Sequence, residues 1–161
     1  MKERHLKKVH VLFVCLGNIC RSPMAEAVFR HMVEEEGAEG CIAVDSAATS
    51  SWHVGDPPHK GTVAKLRENG ISSEGMAGRQ LNLSDFDKFD YIIGMDDSNI
   101  RTIRDLLGQP DHPKIFRLLD LTEHGRDVPD PYYTGDFQET YELVIGGCRI
   151  LLDRIKKEYQ I

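Results

Sequence analysis

The stretch Cys15-Leu16-Gly17-Asn18-Ile19-Cys20-Arg21-Ser22-Pro23 constrains this chain more than any other. It follows an apolar run, Val9 to Val14, that reads as a strand covered on both faces. It also opens a helix, with Ser22 as a good N-cap, Pro23 suited to the first helical position and Glu26 in the first turn. A loop between a strand end and a helix N-terminus presents unpaired backbone N–H groups and the positive end of a helix dipole, which favours a bound phosphate. Here a cysteine begins the loop and an arginine closes it. The pattern predicts a phosphate-binding loop with a nucleophile built into it.

Context decides the matter, because the spacing Cys-x5-Arg also occurs at Cys148 and Arg154. That second copy contains no glycine and runs through an uninterrupted helical pattern, where its N–H groups are engaged. In the first copy Gly17 lets the backbone curl and Asn18 tolerates left-handed conformations.

The length of 161 residues predicts one domain, spanning 1–161, with a core that needs no staples. A net charge of −6 excludes nucleic acid and anionic membranes as natural partners, so an anion must be held by local geometry. The basic start, Met1 to Lys8, lacks the apolar segment of a signal peptide, and no apolar run reaches membrane-spanning length. Cysteines at 15, 20, 41 and 148 form neither a disulfide framework nor a zinc spacing, and a reducing cytoplasm is the expected location. The seven histidines show no ligand spacing, so neither metal nor cofactor is expected.

Along the chain, strands are expected at 9–14, 41–45, 91–95 and 114–118. They alternate with helices at 23–36, from 56–58 to Gly70, from about Ile100 to Gly108, and from Asp136 onward. A short helical turn is expected at Ser84. Strands alternating with helices predict an α/β fold with a parallel sheet covered on both faces. Ligands of such sheets bind beyond the carboxyl ends of the strands, where the strand order switches. The loops carrying Cys15, Trp52, Asp96 and Asp130 all lie at that end.

Cys15 leaves the core where backbone donors, a helix N-terminus and Arg21 would stabilise a thiolate. A thiolate facing a bound phosphoryl group is placed for attack on phosphorus. Arg21 offers a planar fork to two phosphoryl oxygens. Ser22 can give its hydroxyl to the sulfur, or cap the helix, or do both. Release of an ester oxygen needs a proton donor. Asp130, held between Pro129 and Pro131, is the candidate; a plain turn aspartate is an equal reading of the same residues, and Asp127 competes for the role. Trp52, Tyr132 and Tyr133 read either as loop anchors packed on the core or as walls of a pocket for an aromatic substrate.

The run Val11 to Glu26, the segment Val44 to Ser50, Asp90-Tyr91-Ile92 with Met95-Asp96, and Asp130 to Tyr133 together resemble the low-molecular-weight protein tyrosine phosphatases, in their bacterial form. The resemblance covers nearly the whole chain. It implies a three-layer α/β/α, Rossmann-like phosphatase I fold around a four-stranded parallel sheet. It implies a phosphocysteine intermediate on Cys15, with Asp130 as acid and then base. Leu16, Gly17, Asn18, Ile19, Cys20, Arg21 and Ser22 would form the phosphate loop, supported by Asn18, Ser22, Ser46 and Asp96. Ile19, Trp52, Tyr132 and Tyr133 would wall the pocket. The implied substrate is a tyrosine-phosphorylated protein or a small aryl phosphate, and the product inorganic phosphate.

Met76 stands where the family often has a histidine near Asn18. Ile19, where related arginine phosphatases tend to carry threonine, favours an aryl ester. The absence of cysteines between 41 and 148 argues against the related arsenate reductases. Cys20 resembles a second loop cysteine of some members, which implies a reversible disulfide with Cys15. A phosphate carrier or redox sensor without turnover is the remaining alternative, and it would not need Asp130.

Overall fold

A computed structural model describes residues 8–161. The basic segment read above as lacking signal-peptide character lies, apart from Lys8, outside the described residues. Four strands form one sheet: β1 (Val9–Cys15), β2 (Ile42–Ala48), β3 (Tyr91–Gly94) and β4 (Ile115–Arg117). The order is β2-β1-β3-β4 and every pairing is parallel. The chain therefore steps from β1 to one side for β2 and to the other for β3. The strand order switches at β1, and the loop leaving its carboxyl end opens into the resulting crevice.

The helices are α1 (Arg21–Glu35), α2 (Lys60–Glu68), α3 (Ser84–Lys88), α4 (Asp97–Leu107), α5 (Pro131–Thr134) and α6 (Phe137–Tyr159), with a 3-10 turn at Leu118–Leu121. Strand alternation explains the layers. Val9, Val11, Phe13 and Cys15 face one side and pack with α1 and α6, through residues such as Phe29, Val144, Leu151 and Ile155. Leu12 and Val14 face the other side and pack with Ile92, Ile103, Leu107 and Ile115. The rings of Phe13 and Phe29 meet edge-on at 5.7 Å. Because both faces are covered, β1 carries no polar alternation apart from His10.

Local signals account for several boundaries. Asp96 caps α4 through a capping box with Asn99, and Gly108 ends the helix at φ 64°. Asp136 caps α6 by accepting from the Glu139 N–H at 2.9 Å. Three boundaries differ from expectation. α1 begins at Arg21, so Ser22 lies inside its first turn and is not its N-cap, and Glu26 falls beyond that turn. β2 continues through Ser46 to Ala48, because Asp45 and Ser46 have buried or charged partners that take their polar atoms. α2 starts at Lys60 with His59 as its N-cap, two residues after the prolines expected to open it.

Candidate active site

Cys15 is the last residue of β1, and the chain then bends away from the sheet. Asn18 makes the bend at φ 57°, the left-handed conformation that asparagine tolerates. Gly17 does not adopt a positive φ. Its missing side chain matters for another reason: a Cβ there would lie 3.1 Å from Cδ2 of His53. Glycine thus admits a close neighbour, whereas the turn itself is made by asparagine.

The loop closes around sulfur. The N–H groups of Asn18 and Ser22 donate to Cys15 Sγ at 3.3 and 3.4 Å, and the Ser22 hydroxyl lies 3.0 Å away. Hydrogen-bond logic assigns the direction of that last contact. The Asn18 side-chain oxygen accepts from the Arg79 backbone N–H at 3.1 Å, which fixes the orientation of the amide. Its NH2 group then donates to Ser22 Oγ at 2.8 Å and to Ser46 Oγ at 2.9 Å. With an incoming donor, the Ser22 proton is left for the sulfur, and the Ser46 proton goes to Glu26 Oε1 at 2.5 Å. Three donors thus converge on one sulfur. Among the described residues, the N–H groups of Leu16, Gly17, Ile19, Cys20 and Arg21 donate to no other protein group.

Arg21 is buried beneath this loop. One of its terminal nitrogens donates to Asp96 at 2.7 Å and to the Val128 carbonyl at 2.9 Å. The other reaches Asp130 at 3.3 Å. Its Nε is buried and has no protein partner. An orphaned donor of that kind is costly unless an anion takes it. Burial by itself would lower the guanidinium pKa, but Cys15, Asp96 and Asp130 outweigh it and hold the group above its usual value. Asp96 serves twice, since its other oxygen caps α4 by accepting from Asn99 N–H at 2.7 Å.

Asp130 caps α5 through the Tyr132 N–H at 3.1 Å and keeps its second oxygen toward Arg21. Its carboxyl therefore stands at the rim of the same cleft as the sulfur. That cleft is lined by Cys15, Leu16, Gly17, Ile19 and Cys20 from the loop, with Trp52, His53, Asp130, Tyr132 and Tyr133 above them. Trp52 is 70% exposed and Tyr133 76%, so they are cleft walls and not anchors packed on the core. Asp127 lies elsewhere: it accepts from Arg117 and from the Asp97 N–H, both at 2.9 Å. Cys20 lines the cleft, and burial, with Asp130 and Cys15 nearby, pushes its thiol up to about 12 against the opposing pull of Arg21.

Met76 packs on the core among the apolar side chains, and the Arg79 backbone takes the hydrogen bond to Asn18. Arg79 is itself fixed by Asp45 at 3.1 Å and by a fork onto Asp85 at 3.0 and 3.1 Å. Glu26, Arg79 and His53 were not foreseen from sequence. Glu26 has a signal, since it follows Ser22 by one helical turn and faces the same side. Arg79 and His53 sit on segments without periodicity, and only their tertiary contacts reveal them.

Comparison with known proteins agrees with this geometry. The family profile for low molecular weight phosphotyrosine protein phosphatase matches residues 10–161. The low molecular weight protein-tyrosine-phosphatase YfkJ of Bacillus subtilis is 53% identical over 155 residues, covering 95% of this chain and 99% of that protein. Its crystal structure superposes with a TM-score of 0.92 at 52% identity, over 94% of this chain and 97% of that one. PtpA of Staphylococcus aureus, another protein of that name class, is 43% identical over 93% of this chain and 96% of its own length. The sulfur-centred loop, the cleft and the match along the whole described chain lead to one conclusion: the protein belongs to the low molecular weight phosphotyrosine protein phosphatase family and is a protein tyrosine phosphatase.

Proposed function

We propose that the protein, as a single domain over its length, hydrolyses phosphotyrosine and other aryl phosphate monoesters through a phosphocysteine on Cys15. The observation that carries this reading is the set of donors converging on Cys15 Sγ beside the unpartnered Nε of Arg21. In the first step the Cys15 thiolate attacks phosphorus, a P–S bond forms and the P–O bond to the phenol breaks. Asp130, protonated, gives its proton to the departing oxygen. Arg21 and the free N–H groups of the loop hold the equatorial oxygens where charge spreads. In the second step Asp130, now a carboxylate, takes a proton from water as the water attacks phosphorus. The P–S bond breaks and inorganic phosphate leaves.

The walls support an aromatic ester. Ile19, Trp52, Tyr132 and Tyr133 present apolar and aromatic surface above the sulfur. The net charge of −6 supports a protein that acts away from nucleic acid and anionic membranes, and four unpaired cysteines support a reducing cytoplasm. No helix among the described residues is long and apolar enough to cross a membrane. Cys20 would protect the nucleophile: after peroxide converts Cys15 to a sulfenic acid, the Cys20 thiolate displaces hydroxide and forms the disulfide.

The test is hydrolysis of an aryl phosphate without added metal by the native protein and by Cys15→Ser, with phosphoarginine in parallel. Turnover of the aryl ester, lost in the variant, is the predicted result. Preference for phosphoarginine would instead assign Ile19 and the aromatic walls to a different substrate. Absence of both activities would favour the carrier or sensor.

A further inference from the structure

His59 joins three segments that the reaction has to keep in register. Its backbone N–H donates to the carbonyl of Ile19, in the phosphate loop, at 2.7 Å. Its Nδ1 accepts from the Gly61 N–H at 3.0 Å, which caps α2 and locks the ring. The ring stacks on Phe137, the first residue of α6, with centroids 5.2 Å apart and planes 20° apart. Its edge meets Tyr132, two residues beyond Asp130, at 6.0 Å and 70°. The fit is close, because a Cβ on Gly61 would lie 2.5 Å from the Phe137 ring.

Asp130 depends on this arrangement. The segment that carries it has only the four-residue helix α5, closed at Gly135 with φ 75°. Val128 and Pro131 are buried beneath it, but Tyr132 is 55% exposed, and its ring meets those of Tyr133 and His59. The Tyr132 N–H is also the donor that holds one oxygen of Asp130. Movement of Tyr132 would carry the carboxyl with it and change its distance from Cys15.

We propose that His59 is a positioning residue for proton transfer: stacked on Phe137 and set against Tyr132, it holds the Asp130 carboxyl at the leaving-group side of the phosphate loop. This rests on Asp130 being the acid. A purely structural cap would do something different, since losing it would lower the amount of folded enzyme and leave the proton transfer intact. The two are separated by leaving-group dependence. A phenol of low pKa departs without help, whereas one of high pKa needs the proton, so misplacement of the acid is felt mainly by poor leaving groups.

The experiment measures kcat/KM for aryl phosphates whose phenols span low to high pKa, from p-nitrophenyl to phenyl phosphate, on folded protein quantified by active-site titration. His59→Ala is predicted to lose about tenfold more on phenyl than on p-nitrophenyl phosphate. His59→Phe keeps the stack, drops the Nδ1 cap, and should retain the native slope at a lower melting temperature. Phe137→Leu removes the stack from the helix side and should steepen the slope as His59→Ala does; it serves as the test if His59→Ala does not fold. An equal loss on all substrates, or a slope as steep in His59→Phe as in His59→Ala, overturns the proposal. Asp130→Ala provides the reference. If it fails to steepen the slope, the acid assignment itself is wrong. If it steepens while His59→Ala does not, only the role of His59 fails.

Discussion

The floor and the rim of the cleft are built on opposite principles. In the floor, Asn18, Arg21, Ser22 and Ser46 are all buried, and apart from Arg21 Nε their side-chain polar atoms have protein partners. In the chain Glu26–Ser46–Asn18–Ser22–Cys15 the donors run outward from the Asn18 amide to both ends, so each member sets the next. At the rim, Trp52, Tyr132 and Tyr133 are exposed, and the Tyr132 ring meets those of Tyr133 and His59. Buried polar networks specify a single geometry because every alternative leaves a group unpaired. Exposed aromatic surface is free to change without that penalty. The floor is thus suited to fixed phosphoryl chemistry, and the rim to choosing what is attached to the phosphate.

Substitutions can break this division, and the largest effects should lie where the two halves meet the reaction. Asp130→Ala should lower kcat/KM for phenyl phosphate by about 10² to 10⁴ while leaving phosphate binding nearly unchanged, as steady-state kinetics and product inhibition would show. Within the floor, Ser46→Ala should lower kcat by about tenfold or more with little change in KM, because it unhooks Asn18 from Glu26. Asn18→Gly sharpens the point. It keeps the left-handed turn and removes only the amide, so a loss matching Ser46→Ala would locate the effect in the network and not in the backbone.

Much of the floor is readable from sequence because its parts are local. An apolar run, a left-handed-tolerant asparagine and an arginine six residues after the cysteine are neighbours in the chain. The rim and the supports are brought together only by folding. Trp52 and Tyr133 are eighty-one positions apart; the alternation of strands and helices puts both loops at one end of the sheet, but only folding decides whether their rings wall the cleft or pack on the core. Ser22 shows how a local signal can mislead. Serine before proline has the composition of a helix cap, yet the loop curls so tightly that α1 is already under way at Arg21, which turns the hydroxyl toward sulfur. Ser46 misleads in the other direction: its polarity suggests a loop beyond Asp45, but Glu26 satisfies its hydroxyl inside β2. Asp127 and Asp130 cannot be separated by composition, and the distinction comes from Arg117 capturing one and Arg21 the other.

Two smaller effects complete the contrast. Cys20 belongs to the floor, and its thiol, pushed up to about 12, is overwhelmingly protonated at neutral pH. Since the thiolate is the attacking form, the rate of Cys15–Cys20 disulfide formation after peroxide should rise about tenfold per pH unit between pH 7 and 9, as a thiol-alkylation mass shift would record. A rate independent of pH would remove Cys20 as the attacking group. At the rim, Trp52→Ala should raise KM for a phosphotyrosine peptide several-fold, about 1 kcal/mol, and leave kcat and melting temperature nearly unchanged. A fall in kcat instead would mean that the rim also shapes the chemistry.

The most direct test of the account is to catch the covalent intermediate. Asp130→Ala mixed with p-nitrophenyl phosphate should accumulate it, because that phenol leaves unaided while the attack of water lacks its base. Rapid acid quench and peptide mass spectrometry should then find a phosphoryl group on Cys15 and on no other residue. Continued release of phosphate with no phosphorylated Cys15 at any quench time would show that water attacks the ester directly, and the role given to the sulfur would be wrong.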